Sequence, residues 1–344
     1  MKEPFVPAAE VFRANQLESL HFAAAAVVDC EGQIIAQLGS ADLVAYSRSS
    51  LKPFQALPTV MRGFPDRFGL DNHHLALICA SHSGEERHVK AAREILVAID
   101  AKEEHLQCGV HVPLFYRDNE EPIPARKAFS PIFNNCSGKH SGMLALSRIL
   151  GLPLENYLDV QSPLQRLIRA QVAQALGVES NDMTYGIDGC SVPNYAVALR
   201  SLAYGYARLA ASAGPKPRTD DECHDACNRI VSAMRTHPEM VSGEGRFDLA
   251  LARATNGRVF SKAGGEAVEC VGIPERGWGI AVKIADGTAR AVAPVVIGIL
   301  KQLDLLSPSE LSALDKLAHP VLTNHRGIEI GKIRMIGELK RCGA

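Results

Sequence analysis

The sequence predicts a mixed α/β (α+β) fold in which strands from both ends of the chain form one antiparallel sheet beside a mostly helical middle. Strand-like segments lie at 21–39 and again at 257–336, while helical spacing dominates from Glu85 to about residue 236. Joining the terminal strands is the simplest way to cover both their apolar faces. No internal repeat is visible, and the only linker-like tract is SAGPKPRTDD at 212–221. The chain, 1–344, therefore reads as a single unit, divided approximately into a sheet part (1–60 plus 245–344) and a mostly helical part (61–244).

His21–Gly39 reads as a hairpin: AAAAVV is a buried strand, DCEG supplies turn chemistry and QIIAQLG returns. In YSRSSLKPFQALPTVM a serine cluster opens a helical apolar pattern, and Pro53 suits a first turn, where its missing N–H costs nothing. LALICAS (75–81) reads as a strand that ends in polar HSGEE. Glu85–Ala101 has helical spacing, with Val89, Ala92, Ile95, Leu96 and Ile99 on one side. Further helices are predicted at 141–151, 162–177 and 194–213, and Thr219 with Glu222 forms a capping box for a helix running to about 236. Strand patterns return at 257–262, 267–273 and 277–284, followed by a helix at 288–304 and a last strand at 328–336.

The chain is 47% hydrophobic and 22% charged, enough for a substantial core. With 37 basic and 38 acidic residues it lacks the basic excess of nucleic-acid or anionic-membrane partners. MKEPFVPAAEVF has no basic segment followed by an apolar run, and Phe22–Val28 is far too short to span a bilayer. Nine scattered cysteines fit the reduced thiols of a cytoplasmic protein rather than a disulfide framework.

Four clusters carry candidate chemistry. Ser49-x-x-Lys52 puts a hydroxyl and an amine on one helix face, and a neutral lysine can serve as the base of a serine nucleophile. In CASHSGEE, Ser81, His82 and Ser83 are placed at a helix start, where free N–H groups bind an oxyanion or Ser83 simply caps. Lys262 ends a strand before Ala-Gly-Gly, the layout of a Lys-Thr-Gly element with Ala263 in place of threonine. Cys136 in NNCSGKHSG and Cys190 in IDGCSVPN could share zinc with a nitrogen donor or be buried, unliganded thiols. Cys223 and Cys227, with His224 nearby, form a rival pair better read as packing on an amphipathic helix.

Taken in order from about Glu18 to the chain's end, RSSLKPFQALP, ASHSGEERH, CGVHVP, NNCSGKHSGML, DGCSVPNYAVAL, GRFD and SKAGGE resemble the rhizobial-type (class 3) L-asparaginases. The resemblance implies a penicillin-binding-protein-like, serine β-lactamase-like fold, a homodimer, and hydrolysis of L-asparagine to L-aspartate and ammonia. Ser49 and Lys52 match the first Ser–Lys pair of that family, and Ser81 and Lys262 the second. Cys136, Lys139 and Cys190 match its zinc ligands, although His140 is chemically the easier nitrogen donor. Asp188 matches an aspartate beside the metal; it joins Arg48, Glu18 and His21 as candidate holders of the charged ends of a zwitterionic substrate. The expected roles are Ser49 as nucleophile, Lys52 as its neutral base, and Ser81 with Lys262 as proton relay. Other readings are a glutaminase-like or β-lactam-binding hydrolase of the same fold, or a non-catalytic zinc-dependent amino-acid sensor.

Overall fold

The computed structural model describes residues 3–125, 128–215 and 223–342, so the expected capping box of Thr219 and Glu222 lies outside the described residues. The chain opens with β1 (Val6–Arg13), β2 (Gln16–Asp29), β3 (Ile34–Leu38) and β4 (Val44–Tyr46). A helical middle follows: α1 (Lys52–Val60), α2 (Asn72–Ile78), α3 (Glu86–Ala98), α4 (Leu114–Asp118), α5 (Ser137–Leu150) and α6 (Pro163–Leu176). Next come β5 (Thr184–Ile187), β6 (Pro193–Ala198), α7 (Leu199–Ser212), α8 (His224–Thr236), α9 (Pro238–Val241) and α10 (Phe247–Ala254). The chain closes with β7 (Phe260–Gly264), β8 (Val268–Ile273), β9 (Trp278–Ile284), α11 (Val292–Gln302), α12 (Pro308–Ala318), β10 (Val321–Thr323), β11 (Glu329–Met335) and β12 (Lys340–Arg341).

As expected, the terminal strands share one antiparallel sheet, ordered β10-β11-β1-β2-β9-β8-β7, with β3 pairing β2 and β12 pairing β3. The unbroken apolar run Ala23–Val28 follows from cover on both faces. Ala24, Ala26 and Val28 pack into the core of the helical middle, while Ala23, Ala25 and Val27 pack with Val295 and Ile299 of α11. The edge strand β7 brings Lys262 alongside the helical body.

Several elements depart from the sequence reading. LALICAS is not a strand: Asp71 caps α2, which runs to Ile78, and Leu75–Ala80 are buried all round. A short fully apolar run carries no period to tell the two apart. Residues 193–198 form β6 before the helix begins, and β6 joins β4 and β5 in a second, three-stranded sheet. β1 and α12 were not anticipated. α5 starts at Ser137, four residues earlier than predicted, so Lys139 and His140 sit on a helix's first turn. None of the nine cysteines, all within the described residues, is in a disulfide. Cys223 and Cys227 are buried in the main core. Among the described residues no helix is long and apolar enough to cross a membrane.

Candidate active site

A short 3-10 turn, Arg48–Leu51, leads into α1 and is pinned from β6. Ser47 donates to the Tyr195 carbonyl through both N–H (3.0 Å) and Oγ (2.9 Å), and the Arg48 N–H donates to Asn194 Oδ1 at 2.9 Å. Arg48 has φ +53°, a left-handed conformation that costs a non-glycine residue roughly 1–2 kcal/mol. The next residue, Ser49, is partly exposed and lines a cavity of about 590 Å³, and its hydroxyl bonds no other described residue. Gly264 lets β7 press against this turn: a Cβ there would meet the Ser47 carbonyl oxygen at 2.7 Å.

Ser81 lines the same cavity but is 3% exposed. Lys52 donates to it at 2.9 Å, and also to the Ala80 carbonyl (2.6 Å) and Cys136 Sγ (3.1 Å). The structure therefore joins Lys52 to Ser81, where the sequence paired it with Ser49; one turn of helix aims the amine past Ser49 toward the α2–α3 connection. Burial is the main force lowering the Lys52 pKa, Lys139 adds to it, and Cys136 and Cys190 oppose it. Lys262, also fully buried, donates to the Ala263 carbonyl at 2.8 Å and is not hydrogen-bonded to Ser81. Burial, with Lys52 and Arg246 nearby, lowers its pKa to about 8 despite Asp248.

The N–H groups of Ser81, His82 and Ser83 are not free for an oxyanion, because they donate to the carbonyls of Val241, Asn135 and Ser242. Ser83 does not cap α3 either; Glu85 does, while Ser83 Oγ donates to Glu85 Oε1 at 2.6 Å.

Cys136 precedes α5 and Cys190 lies in the β5–β6 loop, yet both reach the cavity wall. Lys139 donates to Cys190 Sγ at 2.9 Å. A hydrogen bond from Cys190 and the charges of Lys52 and Lys139 hold the Cys136 thiol well below its usual pKa against the effect of burial. Hydrogen bonding to Cys136, together with burial, raises Cys190. Burial works against the Lys139 charge, but the two cysteines and Asp188 outweigh it and raise its pKa. His140 Nδ1 meets the Tyr157 hydroxyl at 2.6 Å, leaving its buried Nε2 near Cys190 without a hydrogen-bond partner. Elsewhere, Asp71, His73 and His74 place ligand atoms within 4.8 Å of one another, close enough to hold a metal ion. The sequence reading did not pick out that group, which also caps α2.

Of the four expected substrate contacts, Arg48 and Asp188 line the cavity and bond each other, with Arg48 Nε and Nη2 at 2.9 and 2.8 Å from Asp188 Oδ1. Glu18 and His21 are not among the lining residues. Glu18 is exposed and paired with Arg13, since β2 carries it out along the sheet. His21 is held by Asp286 and Arg290. Sequence reasoning missed Asp118, Arg246, Asp248 and Glu269, which do line the cavity. GRFD, residues 245–248, was the one available signal for two of them. Asp248 accepts from Ser261 Oγ (2.8 Å) and the Ala263 N–H (3.3 Å). Glu269, buried beside that carboxylate, is pushed well above the usual carboxylate range by its burial and by Asp248.

Residues 9–335 match the family model described as L-asparaginase II. No curated protein matches the chain. Among solved structures, 44 chains match. One is Mglu in its native form, with 16% identity and a TM-score of 0.37, covering 84% of this chain and 66% of that one. Another is Mglu in its L-glutamate binding form, with 16% identity and a TM-score of 0.38, covering 84% and 61%. A third is a β-lactamase from Mycobacterium bovis, with 12% identity and a TM-score of 0.35, covering 86% and 95%. The chain thus spans slightly under two thirds of the Mglu chains, and likenesses this low say nothing of its chemistry.

Proposed function

The chain belongs to the L-asparaginase II family, and from that premise we propose that it is an amidohydrolase cleaving the side-chain amide of L-asparagine through Ser49. The observation that carries this reading is the convergence of two serines on one cavity with two buried lysines of lowered pKa beneath them. Ser49, rather than Ser81, is the nucleophile. Its hydroxyl opens on the cavity and follows a strained residue held by β6, the kind of backbone outlier that marks functional positions. Ser81 is shielded and already engaged by Lys52.

Ser49 Oγ attacks the amide carbon, and Lys52, whose pKa burial lowers, takes its proton by way of Ser81 once the amine has lost a proton and turned its lone pair to the Ser81 hydroxyl. The oxyanion faces the Ser49 N–H, free at the start of a helical turn. A second donor is the Gly265 N–H. Gly265 lines the cavity in the turn just past β7, while the Ala263 N–H is taken by Asp248. Collapse breaks the C–N bond as the nitrogen takes the proton from Lys52 and departs as ammonia, and water then releases aspartate from the Ser49 ester. The Lys262 ammonium supplies positive potential to the oxyanion. Asp188, held below its usual pKa by Lys139 and Arg48 despite burial, keeps Arg48 and hence the Ser49 turn in place.

The donor set of Cys136, Lys139 and Cys190 fits zinc: two sulfurs and an amine converge, and the unpartnered Nε2 of His140 lies beside them. Lys139 would be the coordinating nitrogen in this reading, and would have to give up the proton that Cys190, Cys136 and Asp188 favour. Zinc held there would supply a fixed charge at the cavity wall. Ammonia release from asparagine and from glutamine, with and without a chelator, tests the proposal. Turnover of asparagine supports it, and release from neither substrate overturns it.

A further inference from the structure

One guanidinium on the cavity wall has no part in these steps. Arg246 immediately precedes α10, its side chain is 15% exposed, and it lines the cavity with Ser49 and Ser81. Nη1 donates to the Ser81 carbonyl at 2.9 Å. Nε lies 3.8 Å from Asp118 Oδ2, near enough for charge attraction but too far for a hydrogen bond. Nη2 has no partner among the described residues and is not a buried atom.

The other arginines of the cavity are engaged. Arg48 is bonded to Asp188, and Arg117, with 71% of its side chain exposed, is bonded to Asp118 Oδ1. Asp118 Oδ2 is buried with no hydrogen-bond partner. The counter-charge of Arg246 is therefore present but does not fill its donors, and the guanidinium is fixed to the main chain of Ser81 on the wall of the cavity that Ser49 also lines.

We propose that Arg246 binds the α-carboxylate of the amino-acid substrate, and that Asp118 positions the guanidinium to receive it. The proposal rests on the amidohydrolase reading of the cavity and names the group that selects amino acids over simple amides. A carboxylate matches the planar fork of a guanidinium and forms charge-assisted hydrogen bonds with it. Because Ser81 anchors one arm of the fork, a carboxylate on the other arm belongs to a ligand whose far end reaches the serines.

Two ligand pairs differ only in that carboxylate: L-asparagine against 3-aminopropanamide as substrates, and L-aspartate against β-alanine as products. Calorimetric binding of the products needs no turnover. The wild type should bind aspartate ~10–100-fold more tightly than β-alanine. Arg246→Gln should abolish that preference and reduce kcat/KM for asparagine by a similarly larger factor than for 3-aminopropanamide. Arg246→Lys, which keeps the charge and the packing but loses the fork, should fall between. Equal binding of the two products by the wild type overturns the proposal. So does an equal loss on both members of each pair in either variant, since that is what a mere brace for the Ser81 main chain would give. If the wild type binds aspartate selectively yet releases no ammonia from asparagine, the carboxylate contact stands and the amidohydrolase reading falls.

Discussion

Lys262→Arg examines the electrostatics of the site most sharply. Lys262 has no exposed surface, and its pKa falls from 10.5 to about 8, chiefly through burial, with Lys52 and Arg246 adding to it and Asp248 opposing. That displacement corresponds to roughly 3 kcal/mol disfavouring the ammonium. The sign follows directly: the cation is present below about pH 8 and lost above it. If the cation stabilises the oxyanion, kcat/KM for asparagine should level off below pH 8 and decline tenfold per pH unit above it. Arginine stays charged throughout, so Lys262→Arg should lose the alkaline limb while retaining measurable activity. Lys262→Met should lose ~10²–10³ in kcat at all pH values, the scale of removing one oxyanion donor. The assay is ammonia release at matched substrate across that pH range. Superimposable alkaline limbs in the wild type and Lys262→Arg would refute the assignment, as would a wild-type profile that stays level well above pH 8. The lysine would then only tune Lys52.

Further substitutions probe the remaining parts. Lys52→Met removes the donor to Ser81, Cys136 and the Ala80 carbonyl; kcat should drop ~10²–10⁴ with KM little changed, and a drop of less than about tenfold would speak against Lys52 as base. Protein purified without added metal should carry about one zinc per chain by elemental analysis, lost in Cys190→Ala; full retention in that variant would remove Cys190 from the site. Gly138→Ala would put a Cβ 2.4 Å from the Leu77 carbonyl oxygen and 2.7 Å from Leu77 Cγ. The α2–α5 contact must then open, at a cost of ~1–3 kcal/mol seen as a lower denaturant midpoint. An unchanged midpoint would contradict a close α2–α5 contact at this position.

The sheet and most helices were legible because alternation and amphipathic spacing report one covered face. The misreadings fall where that signal vanishes. Leu75–Ala80 are buried on every side, and β6 turns directly into α7 within one apolar stretch. Within the site, unusual residue types with long motifs around them (Ser49, Ser81, Cys136, Cys190) could be named from sequence. Partnerships could not, because one turn of α1 decides whether Lys52 meets Ser49 or Ser81. Asp118 and Arg246 meet across 128 positions of chain and belong to no residue pattern with a fixed spacing. Glu18 and His21 were named for their chemistry alone, and neither lines the cavity.

The central claim is that Ser49 attacks the side-chain amide of asparagine. Ammonia release by the wild type and Ser49→Ala, measured side by side with calorimetric aspartate binding as the check on folding, tests it directly. Release from asparagine by the wild type, a fall of ~10⁴-fold or more in the variant and unimpaired aspartate binding are the predicted result. Near-normal release from Ser49→Ala would contradict it.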